Sequence, residues 1–99
     1  MKSVKRVKCV TKHQAEKLGE KFNINYKIVP FAHWWYGLNV ELEHGTRNPL
    51  TNITNDNLKL TAKIALAHLM EFPNYYERLH LMEAQLDKQW QGQSPSIFN

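Results

Sequence analysis

The sequence predicts an all-α protein, a small bundle of about four helices that follows a basic N-terminal arm or short strand. Capping patterns precede the first and fourth helical segments, and Gly45 and Pro73 stand at segment ends. The 99 residues leave room for a single core. We therefore expect a basic arm over 1–10, one helical domain over 11–89 and a flexible tail over 90–99.

The first two helices are bounded by capping and turn residues. Thr11 followed by Gln14 is a capping-box pattern and predicts a short helix that ends near residues 19–22. The segment "NYKIV" is typical of an extended connector and leads into a proline. Because proline favours the first turn of a helix and glycine its C-terminal end, we expect a second helix over 30–44, with Gly45 as its stop.

The third helix follows the loop "GTRNPLTNITNDN", which is rich in turn-forming residues. Asn55 or Asp56 can cap a helix that runs over about 58–72 and breaks at Pro73. Its apolar residues fall on two opposite sides: Leu58, Ala62, Ala65, Leu66 and Leu69 on one, and Leu60, Ile64 and Ala67 on the other. A helix that is apolar on two sides is expected at the centre of a bundle.

The fourth helix begins after the proline. Asn74 followed by Glu77 is a second capping-box pattern, and we expect the helix to end near Lys88. Trp90 then falls in the tail, where an exposed indole is a candidate for contact with a partner.

The positive charge of the chain belongs to its N-terminus. The net charge is +4, and five cations with no acid lie in the first 12 residues: Lys2, Lys5, Arg6, Lys8 and Lys12. Such an arm favours a salt-dependent contact with nucleic acid or an acidic protein, and the alternative of an arm that aids solubility stays open. A lone cysteine and the lack of a long apolar stretch predict an intracellular protein, cytoplasmic or nuclear, that is neither secreted nor bound to a membrane.

A histidine and a glutamate interrupt the apolar third helix. His68 and Glu71 are three residues apart, and Glu41 and His44 repeat that spacing in reverse order on the second helix. Side chains at positions i and i+3 converge on one side of a helix. Because a buried carboxylate without a partner costs several kcal/mol, we expect Glu71 to be buried and either protonated, paired or coordinated, with partners offered by the second helix.

The sequence thus predicts a polar site between the second and third helices. Glu-x-x-His on facing helices is the ligand pattern of carboxylate-bridged metal sites, and two histidines with two carboxylates suit iron, manganese or zinc. Supporting candidates are Glu43, Thr61 and Tyr76. A buried Glu/His hydrogen-bond network without a metal is the alternative. The sequence does not separate a catalytic residue from a ligand, so the question of enzymatic activity stays open.

The run "VELEHGT…TNITNDN…TAKIALAHLMEFPNYYERLHLME" resembles a widespread family of small proteins of unknown function. The pattern of that family reads close to ELEHG, then TNVT, then IALAHL-E-P-D-YY-RL–ME. The opening "VTKHQAEKLGEKFNIN" resembles the first helix of the family, so the resemblance covers about 10–88. All four ligand candidates fall on the family pattern, whereas His13, His33 and His80 do not. The resemblance implies membership without implying an activity.

The aromatic content favours self-association. Three tryptophans, four tyrosines and four phenylalanines need more cover than one small bundle easily gives. We therefore expect a homodimer, with the second helix or the Trp90 tail in the interface. The alternative is that the basic arm and the "NYKIV" connector fold back over the helices and complete a monomer.

Overall fold

The computed structural model describes residues 9–93 and 96–98. This part of the chain contains four helices and no strand: α1 (Lys12–Phe22), α2 (Phe31–Arg47), α3 (Leu58–Glu71) and α4 (Tyr75–Trp90). The predicted all-α bundle is therefore confirmed. The proposed contacts Lys2, Lys5, Arg6 and Lys8 lie outside the described residues, and so does most of the predicted basic arm.

The central helix of the bundle is α2, which packs against each of the other three helices. Its buried face meets a stripe of small residues on α3, which lets the two helices approach closely. Trp34 is fully buried, and its indole nitrogen donates to the carbonyl of Ala15 over 3.0 Å. The buried apolar core consists of Val10, Ala15, Val29, Trp34, Leu38, Val40, Leu42, Ala62, Ala65, Leu69 and Tyr76.

The chain before α1 is fixed to the middle of α2. Asn39 Oδ1 accepts a hydrogen bond of 2.8 Å from the backbone nitrogen of Val10, and Asn39 Nδ2 donates to the carbonyl of the same residue. Trp35 donates to that carbonyl as well, over 2.7 Å. These bonds satisfy a buried stretch of backbone that belongs to no helix.

The ends of α1 and α2 test two sequence predictions. The capping box is confirmed, because Thr11 Oγ1 accepts from the backbone of Gln14 and the Gln14 side chain accepts from the backbone of Thr11. The prediction that Gly45 ends the second helix is wrong, since α2 continues to Arg47. A Cβ on Gly45 would collide with the hydroxyl of Thr54, so this glycine permits close packing of the loop.

The third helix is less central than the sequence predicts. Only one of its two apolar sides is buried, namely the side with Thr61, Ala62, Ala65 and Leu69. On the other side Leu60 is 43% exposed and Ala67 is exposed. Asn57 caps this helix by accepting from Leu60 N over 3.0 Å, in place of Asn55 or Asp56.

The fourth helix is attached to the bundle by one buried side chain, that of Tyr76. The side chain of Asn74 makes no capping hydrogen bond, so the second capping box does not form. Trp90, expected in the tail, is the last residue of α4 and is half exposed. No helix in residues 9–93 has the length and hydropathy that a membrane span requires.

Candidate functional site

A buried carboxylate lies where α2, α3 and α4 meet. Glu41, on α2, is only 7% exposed. Its Oε2 accepts a hydrogen bond of 2.6 Å from the hydroxyl of Tyr76 and lies 3.1 Å from Nδ1 of His68. Each of these three side chains comes from a different helix, and we call them the triad.

The hydrogen bonds of the triad determine the protonation of the imidazole. The Tyr76 hydroxyl has one proton, which it donates to Glu41, so its oxygen can only accept from His68 Nδ1, 3.2 Å away. An ionised Glu41 likewise only accepts. Nδ1 of His68 therefore carries a proton, and in the neutral ring Nε2 holds the lone pair.

The ring of His68 is also fixed by aromatic contacts. Tyr75 stacks on it with ring centres 4.4 Å apart and planes within 7°. Tyr76 meets the same ring edge-on at 6.1 Å. Nδ1 faces the buried carboxylate, while 34% of the side chain is exposed and the ring lines a surface depression. The imidazole is held as an oriented acceptor at the surface.

Tyr76 is a permanent donor within the triad. Burial, followed by its hydrogen bond to Glu41, raises the pKa of Tyr76 far above that of a free phenol. Its ring packs on Gly37, where an added Cβ would lie 2.6 Å from two ring atoms. The glycine on α2 thus provides the space in which the tyrosine reaches the carboxylate.

Two surface depressions flank the triad. The first, of about 350 Å³, is lined by Ile53, Thr54, Leu60, Lys63, Ile64, Ala67 and His68, and we call it the His68 depression. The second, of about 400 Å³, opens onto Glu41 and His44. Both are bordered by Ile53, Thr54 and Ile64, so they lie side by side under the loop between α2 and α3.

The structure brings together only part of the predicted ligand set. His44 Nδ1 lies 3.9 Å from Glu41 Oε1, at the edge of the triad, and its side chain is 48% exposed. The prediction that Glu71 is buried and paired is wrong, because Glu71 is exposed. It lies two residues beyond the buried Leu69, which turns it about 200° away from the core.

The supporting candidates have three different placements. Tyr76 belongs to the triad, whereas Glu43 is exposed and pairs with Arg47 over 3.1 Å. Thr61 is fully buried and donates to the carbonyl of Asn57, the cap residue of its own helix. Lys12, predicted as part of a basic contact surface, is the exposed first residue of α1. Within the part of the chain that the structure describes, no group of three or more His, Cys, Asp or Glu residues could hold a metal ion.

Comparison with known proteins places the chain in a family. A family model described as a protein of unknown function, DUF5661, matches residues 15–85, which is more than half of the chain. The chain belongs to the DUF5661 family. The DUF5661 match includes Glu41, His68 and Tyr76, and it confirms the resemblance to a small family of unknown function. No curated protein and no solved structure matches the chain.

The site of this DUF5661 protein contains residues that the sequence analysis did not assign to it. Tyr75 stacks on the imidazole, and Lys63, Ile53 and Thr54 line the depression beside it. The spacing of His68 and Tyr75 is seven residues, but a proline lies between them, so helical periodicity gives no signal for the contact. The loop residues could be found only from the path of the loop.

Proposed function

We propose that the triad is a ligand-binding site in which Nε2 of His68 accepts a hydrogen bond, or a proton, from a small ligand. The observation that carries this proposal is the position of Glu41 Oε2, within hydrogen-bond distance of both the Tyr76 hydroxyl and His68 Nδ1. A histidine whose Nδ1 is bound to a tyrosine oxygen beside a buried carboxylate has a fixed tautomer, with Nε2 left as the acceptor. This is the arrangement that general acid–base chemistry requires.

A purely structural network is the competing explanation for these contacts. Such a network needs no solvent access, whereas a third of the His68 side chain is exposed and lines a depression. The orientation of the ring is also fixed, with one tyrosine stacked on its face and another at its edge. Both features favour a site over a network that only stabilises the fold.

The tautomer of His68 tests the proposal without any ligand. Two-dimensional ¹H–¹⁵N spectra of the imidazoles should show His68 as the Nδ1–H form at pH values where the ring is neutral. Glu41→Gln should weaken that preference, because the amide group replaces an anionic acceptor. His80 is the matched control, since its Nδ1 lies 3.4 Å from an exposed tyrosine hydroxyl and far from Glu41 in the sequence. A neutral His68 with Nε2 protonated would overturn the proposal.

A divalent metal is the second candidate ligand. Glu41 faces two imidazole nitrogens, His68 Nδ1 at 3.1 Å and His44 Nδ1 at 3.9 Å, although the described residues form no group of three that could hold a metal ion as they stand. Iron, manganese or zinc bound there would have to displace the Tyr76 hydroxyl from the carboxylate, which places this candidate second. Elemental analysis of protein purified without a histidine tag, together with melting temperatures with and without chelator, tests it. No stoichiometric metal and an unchanged melting temperature would eliminate it.

Contact of the basic arm with nucleic acid or an acidic protein stays a proposal. Lys12 is exposed at the start of α1, which is compatible with such a contact. Deletion of residues 1–9 should remove salt-dependent binding in a shift assay at two salt concentrations. Binding that survives the deletion, or that does not depend on salt concentration, would exclude the arm as the contact.

The intracellular location likewise stays a prediction.

The homodimer also stays a proposal. Exposed apolar side chains on α4 support it, because Leu81 is 53%, Met82 48% and Trp90 48% exposed. Light scattering over a range of concentrations tests it. A mass near 11.7 kDa at high concentration would show a monomer.

A further inference from the structure

The His68 depression combines an apolar wall with polar lining residues. Ile53, Leu60, Ile64 and Ala67 form the wall, and Ile53 is 78% exposed. His68 and Lys63 both line it, five residues apart on α3. The rise of a helix separates their Cα atoms by about 7.5 Å along its axis, a distance that a short alkyl chain spans.

The charge of this depression is positive. Lys63 is its one charged lining residue, and no described carboxylate lines it. The positions three and four residues away from Lys63 on α3 are Lys59, Leu60, Leu66 and Ala67, so no acid on the helix neutralises the ammonium group. Glu41 lines the neighbouring depression, and its oxygen is engaged with the triad.

A buried hydroxyl at the border of the depression has no partner. Thr54 is only 2% exposed, and its Oγ1 makes no hydrogen bond to any described residue. A buried hydroxyl without a partner costs free energy, which a polar ligand or an ordered water would recover. The hydroxyl oxygen faces Gly45 on α2, where an added Cβ would collide with it, so it borders the depression without itself contacting an occupant.

We propose that the ligand of the His68 depression is a small carboxylate with a short hydrocarbon chain and a hydroxyl at its far end. The carboxylate pairs with Lys63, the chain covers Ile53, Leu60 and Ile64, and the hydroxyl donates to Nε2 of His68. The inference rests on the proposed function for its hydroxyl end, whereas its carboxylate end is independent of that function.

Three matched probes test the two ends separately, with the full chain labelled with ¹⁵N. The probe ω-hydroxyhexanoate has both groups, hexanoate lacks the hydroxyl, and α,ω-hexanediol lacks the charge. Chemical shifts of Lys63, Ile64 and His68 report binding. We expect ω-hydroxyhexanoate to bind about threefold more tightly than either of the others, the increment that a single exposed ion pair or hydrogen bond gives. Lys63→Gln should remove its advantage over the diol, and Lys59→Gln, one turn earlier and outside the lining, should leave it unchanged.

Each outcome supports or overturns one part of the inference. If the diol binds as tightly as ω-hydroxyhexanoate, the carboxylate class is wrong and the histidine site still stands. If hexanoate binds as tightly as ω-hydroxyhexanoate, no ligand hydroxyl reaches His68. The ligand titrations would then count against the proposed function. Shifts in none of the three titrations would overturn the ligand class altogether, while the tautomer of His68 in the ligand-free protein would still decide the proposed function.

Discussion

The hydroxyl of Tyr76 donates to Oε2 of Glu41 over 2.6 Å, and this bond joins α4 to the centre of the bundle. The two residues are 35 positions apart in the chain. Tyr76 is the one buried residue of α4, and Glu41 is the buried carboxylate of α2. The same bond therefore contributes to the fold and to the orientation of His68.

Removing the hydroxyl of Tyr76 should destabilise the protein. In Tyr76→Phe the buried carboxylate loses its shortest hydrogen bond, so we expect the free energy of unfolding to fall by about 1.5–3 kcal/mol. Urea denaturation measures this change. Tyr36→Phe is the control, because Tyr36 is only partly buried and its hydroxyl lies 3.4 Å from the exposed His80 and interacts with Glu83, so it should cost less than Tyr76→Phe. Equal losses in the two variants would contradict the assigned role of Tyr76.

Stability should decrease in alkaline solution, and Tyr76 should account for much of the decrease. Burial and the Glu41 hydrogen bond raise the pKa of Tyr76 in the folded state above the ordinary value of 10.0. The unfolded chain loses this proton first, so the contribution is complete below about pH 10 and falls above it, by at most about 1.4 kcal/mol per pH unit. Unfolding free energies of the wild type and Tyr76→Phe at about pH 9 and about pH 11 should converge. A difference in unfolding free energy that stays constant between the two pH values would show that Tyr76 ionises in the folded protein as readily as in the unfolded chain.

A methyl group at position 37 should displace the tyrosine. In Gly37→Ala the new Cβ meets the ring of Tyr76 at 2.6 Å, so we expect a loss of about 1–3 kcal/mol despite the better helix propensity of alanine. Gly19→Ala is the comparison, because its Cβ would meet mainly the hydroxyl end of the exposed Tyr26, which can move, and would lie 3.2 Å from Nε1 of the buried Trp34, so its loss should be smaller. Urea denaturation compares the two variants, and the imidazole spectrum should change only in Gly37→Ala. A stable Gly37→Ala with an unchanged spectrum would mean that Tyr76 does not need this space.

The unpartnered hydroxyl of Thr54 should be dispensable for stability. Thr54→Val replaces it with a methyl group, and we expect the free energy of unfolding to rise by about 1 kcal/mol. Thr61→Val makes the same change at a buried hydroxyl that donates to Asn57 over 2.8 Å, and it should cost about 1 kcal/mol. Thermal or urea unfolding shows whether the free energy of unfolding rises or falls in each variant. A loss at both positions would show that Thr54 has a water partner.

The fold could be predicted where local signals act alone. The capping box of Thr11 and Gln14 is a contact within four residues, and it forms as predicted. Glycine often ends a helix, but Gly45 is required here because Thr54 packs against it. No local sequence pattern reveals that contact. Apolar residues on two sides of α3 did not place it at the centre, because residue type alone does not decide which side other helices cover.

The site could be predicted in part. The i, i+3 spacing predicts Glu41 and His68 as members of a polar site, with Tyr76 as a supporting candidate, and the structure joins these three side chains. Glu71 shares its helix with His68, but the last turn of α3 directs it to solvent. The stacking of Tyr75 depends on the angle at which α4 returns after Pro73, which the sequence does not specify.

Tyr76 is the one fully buried residue of α4, beside the partly buried Tyr75 and Leu79, and it also belongs to the triad, so we expect the proposed site and the docking of that helix to form one cooperative unit. If α4 opens, His68 loses the stacked ring of Tyr75 and the hydroxyl of Tyr76 at once, and its tautomer is no longer fixed. A ligand that needs the oriented imidazole binds only the closed state and so opposes opening. Such a ligand would slow amide hydrogen exchange along α4, in a helix that it does not touch.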